Sequence, residues 1–178
     1  MTDLMKGVFL ASVMAAASVG PLWAQDETSD NRVGAETDWS VFVEEDPLQC
    51  WVVSTPREIR NTRDDREVAV TRGEILFFVS FWPEQGRSGE VSYTGGYPFE
   101  VGSTVSVSIG DSDFQFFTEG ELAWATTEQQ DDQVITAMKR GAEAVLTARS
   151  TRGTQTEDTF SLLGFTAAIE DAEARCGG

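Results

Sequence analysis

Histidine is absent from this sequence, cysteine occurs twice and lysine twice, as Lys6 and Lys139. Without imidazole there is no Ser-His-Asp or Cys-His machinery, because in both the histidine activates the nucleophile. The commonest transition-metal ligand is missing too. If the two cysteines are joined, thiolate zinc sites go as well, so neither metal nor cofactor is expected. A Ser-Lys arrangement would have to use Lys139, which already has a place as the closing charge of a helix. A hydrolase would be left with carboxylate pairs, and the expectation is a chain with no catalytic residues. Positive charge is also scarce: 13 Lys and Arg face 30 Asp and Glu, a net charge of −17. Such a surface repels phosphate backbones, so nucleic acid is not an expected partner.

Long apolar runs are confined to the N-terminus. Lys6 precedes a small and apolar stretch from Val8 to Val19, Pro21 breaks it, and Ala24 supplies a small residue for cleavage. A basic start, a run of about 7–15 apolar residues and a small-residue site describe a secretory signal, whereas a membrane span needs about 20. Residues 1–24 are therefore read as a signal peptide, with Met5-Lys6 as the cleaner start, and the destination as the periplasm, with outer-membrane association or secretion as the alternatives. No transmembrane segment is expected after cleavage. Residues 25–38 hold Asp26, Glu27, Asp30, Glu36 and Asp38, with Val33 as the one sizeable apolar side chain. Such composition does not offset the entropy of ordering, and a disordered acidic tether is predicted there. In an exported chain an even cysteine count favours a disulfide, and Cys50–Cys176 is the one intrachain pairing.

Residues 39–178 read as one β-rich domain. Trp39, Val41 and Val43 alternate with Ser40 and Phe42, and Asp46-Pro47 turns the chain into Cys50-Trp51-Val52-Val53. Arg57 to Arg66 is polar, a loop or hairpin tip. Val68 and Val70 read as strand. Ile75 to Val79 is apolar on both faces, as in a strand covered on two sides. Glu90 to Tyr93, Val105 to Ile109 and Phe114 to Phe116 follow, the last two joined by a Gly110–Asp113 turn. Thr127 with Gln130 forms a capping box for a helix with Val134, Ile135 and Met138 on one stripe, and Gly141 stops it. Strand returns from Ala144 to Thr151 and again through Phe160. A second helix, about Phe165 to Arg175, aligns Phe165, Ala168, Ile169 and Ala172, and Cys176 continues that face. The fold class is mainly β: a β-sandwich-like antiparallel domain with two short helices, one of them C-terminal.

Asp111-Ser112-Asp113 resembles the start of a calcium loop, but Phe114, Phe116 and Phe117 stand where further oxygen ligands belong, and a hairpin turn is the better reading. Trp82, Tyr93 and Tyr97, with Phe81 and Phe99, lie near turns; they form either an aromatic surface or, as preferred, the end of the core. Arg57, Arg60, Arg63, Arg66 and Arg72 fall in one segment of an acidic protein and are candidates for contact with an anionic partner. Glu58, Asp64, Asp65 and Glu67 lie among them and favour a solvated hairpin face instead.

Several stretches resemble the invasion-associated locus B family of alphaproteobacterial envelope proteins. They are Gln49-Cys50-Trp51-Val52-Val53-Ser54, Arg72-Gly73-Glu74-Ile75-Leu76, Gly95-Gly96-Tyr97-Pro98-Phe99, Ala137-Met138-Lys139-Arg140-Gly141, and Thr159 to Ala168 leading to Cys176. The last is the most specific. The resemblance implies an exported β-sandwich-like domain without an assigned active site, whose relatives in some pathogens look like factors in entering host red cells. Protein partners in the envelope or on a host cell are the expectation. The alternatives are a carboxylate-dependent enzyme acting on envelope glycans and a purely structural envelope component.

Overall fold

Alternating side chains along most of the twelve strands among the described residues decide the architecture, because one face of those strands must leave water. The computed structural model describes residues 31–176; the predicted signal peptide and residues 25–30 of the predicted tether lie outside them. The strands are β1 (Arg32–Glu36), β2 (Trp39–Glu45), β3 (Leu48–Ser54), β4 (Glu58–Arg63), β5 (Arg66–Glu67), β6 (Leu76–Trp82), β7 (Arg87–Thr94), β8 (Thr104–Ile109), β9 (Ser112–Glu119), β10 (Leu122–Trp124), β11 (Glu143–Arg149) and β12 (Gln155–Ser161). The helices are α1 (Glu128–Met138) and α2 (Phe165–Cys176). All strands join one antiparallel sheet in the order β1-β2-β3-β6-β7-β10-β9-β8-β11-β12-β4-β5.

The sheet curls over on itself and brings β2, β6 and β7 against β12, so one continuous sheet makes a sandwich-like core. Phe77 on β6 meets Phe160 on β12 with ring centroids 5.4 Å apart, and Tyr93 on β7 meets the same ring at 6.2 Å. The Trp39 indole donates to the carbonyl of Ser161 at 3.0 Å, which satisfies its buried N–H. Helix α2 covers the open end, with Phe165 4.8 Å from Trp39 and with Ala168, Ile169 and Ala172 fully buried. Its last residue, Cys176, is joined to Cys50 on β3, as predicted. At the other end of its sequence α2 begins after Gly164, whose φ of 90° and close approach to the Glu36 carbonyl leave no room for a side chain.

Helix α1 starts as its sequence predicts. Gln130 N–H donates to Thr127 Oγ1 at 3.2 Å, and the Gln130 side-chain oxygen accepts from Thr126 N–H at 2.6 Å. Val134 and Met138 pack inward, while Asp131 Oδ1 accepts the Val91 N–H at 2.8 Å and pins α1 to β7.

Four expectations change. Arg32–Glu36, assigned to the tether, is edge strand β1, paired with β2 and overlain by α2, so backbone pairing supplies what its composition does not. The polar stretch from Arg57 is two strands, turned by Asp64 and Asp65 at φ 51° and 59°, the conformation a two-residue hairpin turn requires. Val68 and Val70 belong to no strand; Val68 N–H still bonds the Asn61 carbonyl of β4 at 3.0 Å, but the pairing goes no further. β6 is central but buries one face only; Leu76, Phe78 and Ser80 are half-exposed on the other.

Candidate binding cleft

Strand β12 brings a carboxylate into the core. Thr156, Asp158 and Phe160 share its inward face, and Asp158 is wholly buried. A buried charge needs a partner, and the segment between β5 and β6 supplies Arg72. Its guanidinium makes a two-point bridge to Asp158, Nη1 to Oδ1 at 2.7 Å and Nη2 to Oδ2 at 2.5 Å. Arg72 also donates through Nε to the Gly95 carbonyl at 2.8 Å and through Nη1 to Asn61 at 3.3 Å. The Tyr93 hydroxyl donates to Asp158 Oδ2. Burial disfavours the guanidinium charge, but the hydrogen-bonded Asp158 carboxylate more than offsets it, and the Arg72 pKa is raised. Burial, aided by the Asp158 charge, pushes the Tyr93 phenol up.

Through Arg72 this cluster reaches the wall of a cleft of about 780 Å³. Tyr97 lies over Arg72, its ring centroid 5.0 Å from the guanidinium carbon, and its hydroxyl pairs with Thr156 Oγ1 at 2.5 Å. Burial pushes the Tyr97 phenol up to about 12, so it stays protonated. The turn that presents Tyr97 depends on Gly96, at φ 71°; a Cβ there would sit 2.6 Å from the Gly73 carbonyl oxygen. Arg63, on the inward side of β4, donates to Thr154 Oγ1 at 2.7 Å. Arg152, on the β11–β12 turn, adds a second exposed guanidinium. Buried hydroxyls of Ser150, Thr154 and Thr156 line the interior, and Glu121 is the one carboxylate in the lining.

Of the five predicted arginines, Arg63 and Arg72 reach the cleft. Alternation along β4 sends Arg60 to the other face, 3.6 Å from both Glu67 and Glu157. Arg57 bridges Asp38 at 2.5 Å, and Arg66 is exposed on edge strand β5. The predicted aromatic surface does not assemble. Tyr93 is core, Tyr97 is in the cleft, and Trp82 sits elsewhere, its indole donating to Gln49 at 3.0 Å with Arg87 nearby. Phe81 and Phe99 are core, as preferred. Sequence reasoning missed Arg152, Thr154, Thr156 and Asp158. For Thr156 and Asp158 the signal was present: both precede Phe160 at even spacing, on one face of a strand.

A second cleft, of about 550 Å³, lies beside the start of α1, with the stacked pair Phe117 and Trp124 and the carboxylates Glu90, Glu119, Glu128 and Asp131. Burial pushes Asp131 up to about 6; the Val91 N–H opposes this, and Glu90, Asp132 and Glu128 add to it. Gly110 and Asp111 form the β8–β9 turn, and Asp113, already in β9 opposite Ser108, accepts from the Ser108 hydroxyl at 2.6 Å. Among the described residues no three His, Cys, Asp or Glu gather as a metal site, and no helix is long and apolar enough to cross a membrane.

A family model described as Invasion associated locus B (IalB) protein matches residues 39–173. The crystal structure of invasion associated protein b from Bartonella henselae is similar in fold, with a TM-score of 0.55 at 15% identity, over 79% of this chain and 95% of that one. No curated protein matches the sequence.

Proposed function

Because the chain belongs to the invasion associated locus B family, we propose that it is an exported, envelope-associated binding protein that holds a protein partner at the cleft without catalysing a reaction. The observation that carries this reading is the cleft itself, where Arg63 and Arg152 flank Tyr97 over a polar interior, in a chain of net charge −17. Guanidinium groups suit two-point recognition, and an aromatic wall adds contact area at low entropic cost. The buried ionisable groups also favour binding over chemistry. Arg72, Asp158 and Tyr93 fill one another's hydrogen-bonding positions, which leaves them no proton to exchange with a substrate. Export rests on Lys6, the Val8–Val19 run and Ala24, and the periplasm is the compartment it implies. Contact with a host cell and maintenance of the envelope are both compatible with such a module.

The test is photo-crosslinking in intact cells, with the reactive residue at Thr151 on the cleft rim or at exposed Leu163, beyond the far end of β12. A protein product from Thr151 alone is expected. No product from either position, or one from Leu163 alone, would count against the reading.

One observation favours a second reading, an enzyme acting on envelope glycans. The cleft beside α1 sets Asp131, with its raised pKa of about 6, among other carboxylates in a lining shared with Trp124. Binding is preferred because Asp131 already holds the Val91 N–H. Hydrolysis of peptidoglycan fragments that disappears in Asp131→Asn would reverse that preference.

A further inference from the structure

The cleft wall formed by residues 68–71 leaves part of its main chain unpaired. Val68 N–H donates to the Asn61 carbonyl at 3.0 Å, and Gly73 N–H to the Gly96 carbonyl at 2.8 Å. Between them, the main-chain groups of Ala69, Val70 and Thr71 make no hydrogen bond among the described residues. All three residues are exposed, and Val70 keeps 38% of its surface. A short row of unpaired N–H and C=O groups beside an apolar side chain is what an added peptide strand pairs with. An isolated phosphate or a lipid headgroup has no main-chain repeat to match it.

The side chains around this wall select for charge. Arg63 and Arg152 are exposed, and Thr151 and Tyr97 belong to the same lining, the Tyr97 hydroxyl being taken up by Thr156. Arg72 is occupied by Asp158, Asn61 and Gly95 and serves as a fixed support rather than a reader. The net charge of −17 opposes an acidic chain at long range, so recognition depends on short two-point contacts and not on steering.

We propose that the cleft receives an acidic peptide segment of a partner protein, its main chain paired with Ala69–Thr71 and its carboxylates held by Arg63 and Arg152. This rests on the partner-binding reading above and adds the chemistry of the partner. The experiment passes a degenerate library of short Asp- and Glu-bearing peptides over the immobilised protein, beside a matched Asn and Gln library, inorganic phosphate and phosphatidylglycerol vesicles. The acidic library is expected to be retained and the amide library lost. Arg63→Gln with Arg152→Gln should weaken retention about tenfold or more, with melting unchanged. Hydrogen exchange at the amides of Ala69 to Thr71 should slow when acidic peptide is bound. Equal retention of both libraries, retention untouched by the double variant, unaltered exchange at 69–71, or binding of phosphate or vesicles in place of peptide would each overturn the proposal. If the Thr151 crosslink persists in cells while the acidic library passes through, the peptide chemistry is wrong and the binding reading stands. Loss of that crosslink is what removes the reading beneath it.

Discussion

Replacing Asp158 with asparagine takes one charge out of a place that water does not reach. The carboxylate is fully buried and the Arg72 side chain 5% exposed, so the guanidinium is left with neutral acceptors and little solvent. Breaking one side of a buried pair costs about 3–5 kcal/mol, because the surviving charge stays desolvated. For a domain of this size each kcal/mol moves the melting temperature by about 2–5 °C, so a fall of roughly 6–25 °C is expected. Arg72→Met should cost a similar amount, since it strands Asp158. Arg72→Met with Asp158→Leu removes both charges together and should cost clearly less than the two single changes added. Thermal melts and urea titrations of the wild type, the two single variants and the double variant complete the cycle. The reasoning fails if either single variant loses less than about 1 kcal/mol, or if the double variant is additive.

Asp131 gives a pH-dependent prediction of definite sign. Its folded pKa is raised to about 6, so the folded state holds the proton more tightly than the unfolded chain, and this group's contribution to stability falls as pH rises through about 4 to 6. Asp131→Asn, which keeps an acceptor for the Val91 N–H, should therefore stabilise at pH 7.5 by about 1–2 kcal/mol after allowance for solvent screening, the gain vanishing near pH 4; melting curves against pH would read it. Gly96→Ala should cost roughly 2–4 kcal/mol, since it meets both a positive φ and the Gly73 carbonyl, whereas Gly102→Ala, at φ 77° in open space, should cost about 1. Equal losses in those two melts would refute the close-approach argument. Changing Cys50 and Cys176 together to alanine releases a link across 126 residues and should lower stability by about 4–5 kcal/mol in denaturant titrations. A loss under about 1 kcal/mol would show that packing of α2 against Trp39 holds that end of the fold unaided.

The helices were legible because their signals are local. Thr127 and Gln130 sit three residues apart, and Phe165, Ala168, Ile169, Ala172 and Cys176 recur at helical spacing, so each pattern is complete within a few turns. Most strands were legible for the same reason, since a period of two reports which side chains leave water. That period does not report which strands meet. The sequence alone determined a β-rich domain with two amphipathic helices, the first of them capped, one intrachain cysteine pairing and an arginine-bearing segment in an acidic chain. Only the tertiary structure decided that β12 lies beside β4, which sets Asn61 opposite Thr156. The curl of the sheet in turn carries Asp158 to Arg72 and Tyr93 across the core, and so sorts the arginines. Arg72 is drawn inside to neutralise a buried carboxylate, Arg60 turns outward to Glu157, and Arg63 faces the cleft that Arg152 completes from another turn. The physical reason is distance along the chain: Arg72 and Asp158 are 86 residues apart, and no local preference of either one specifies the other.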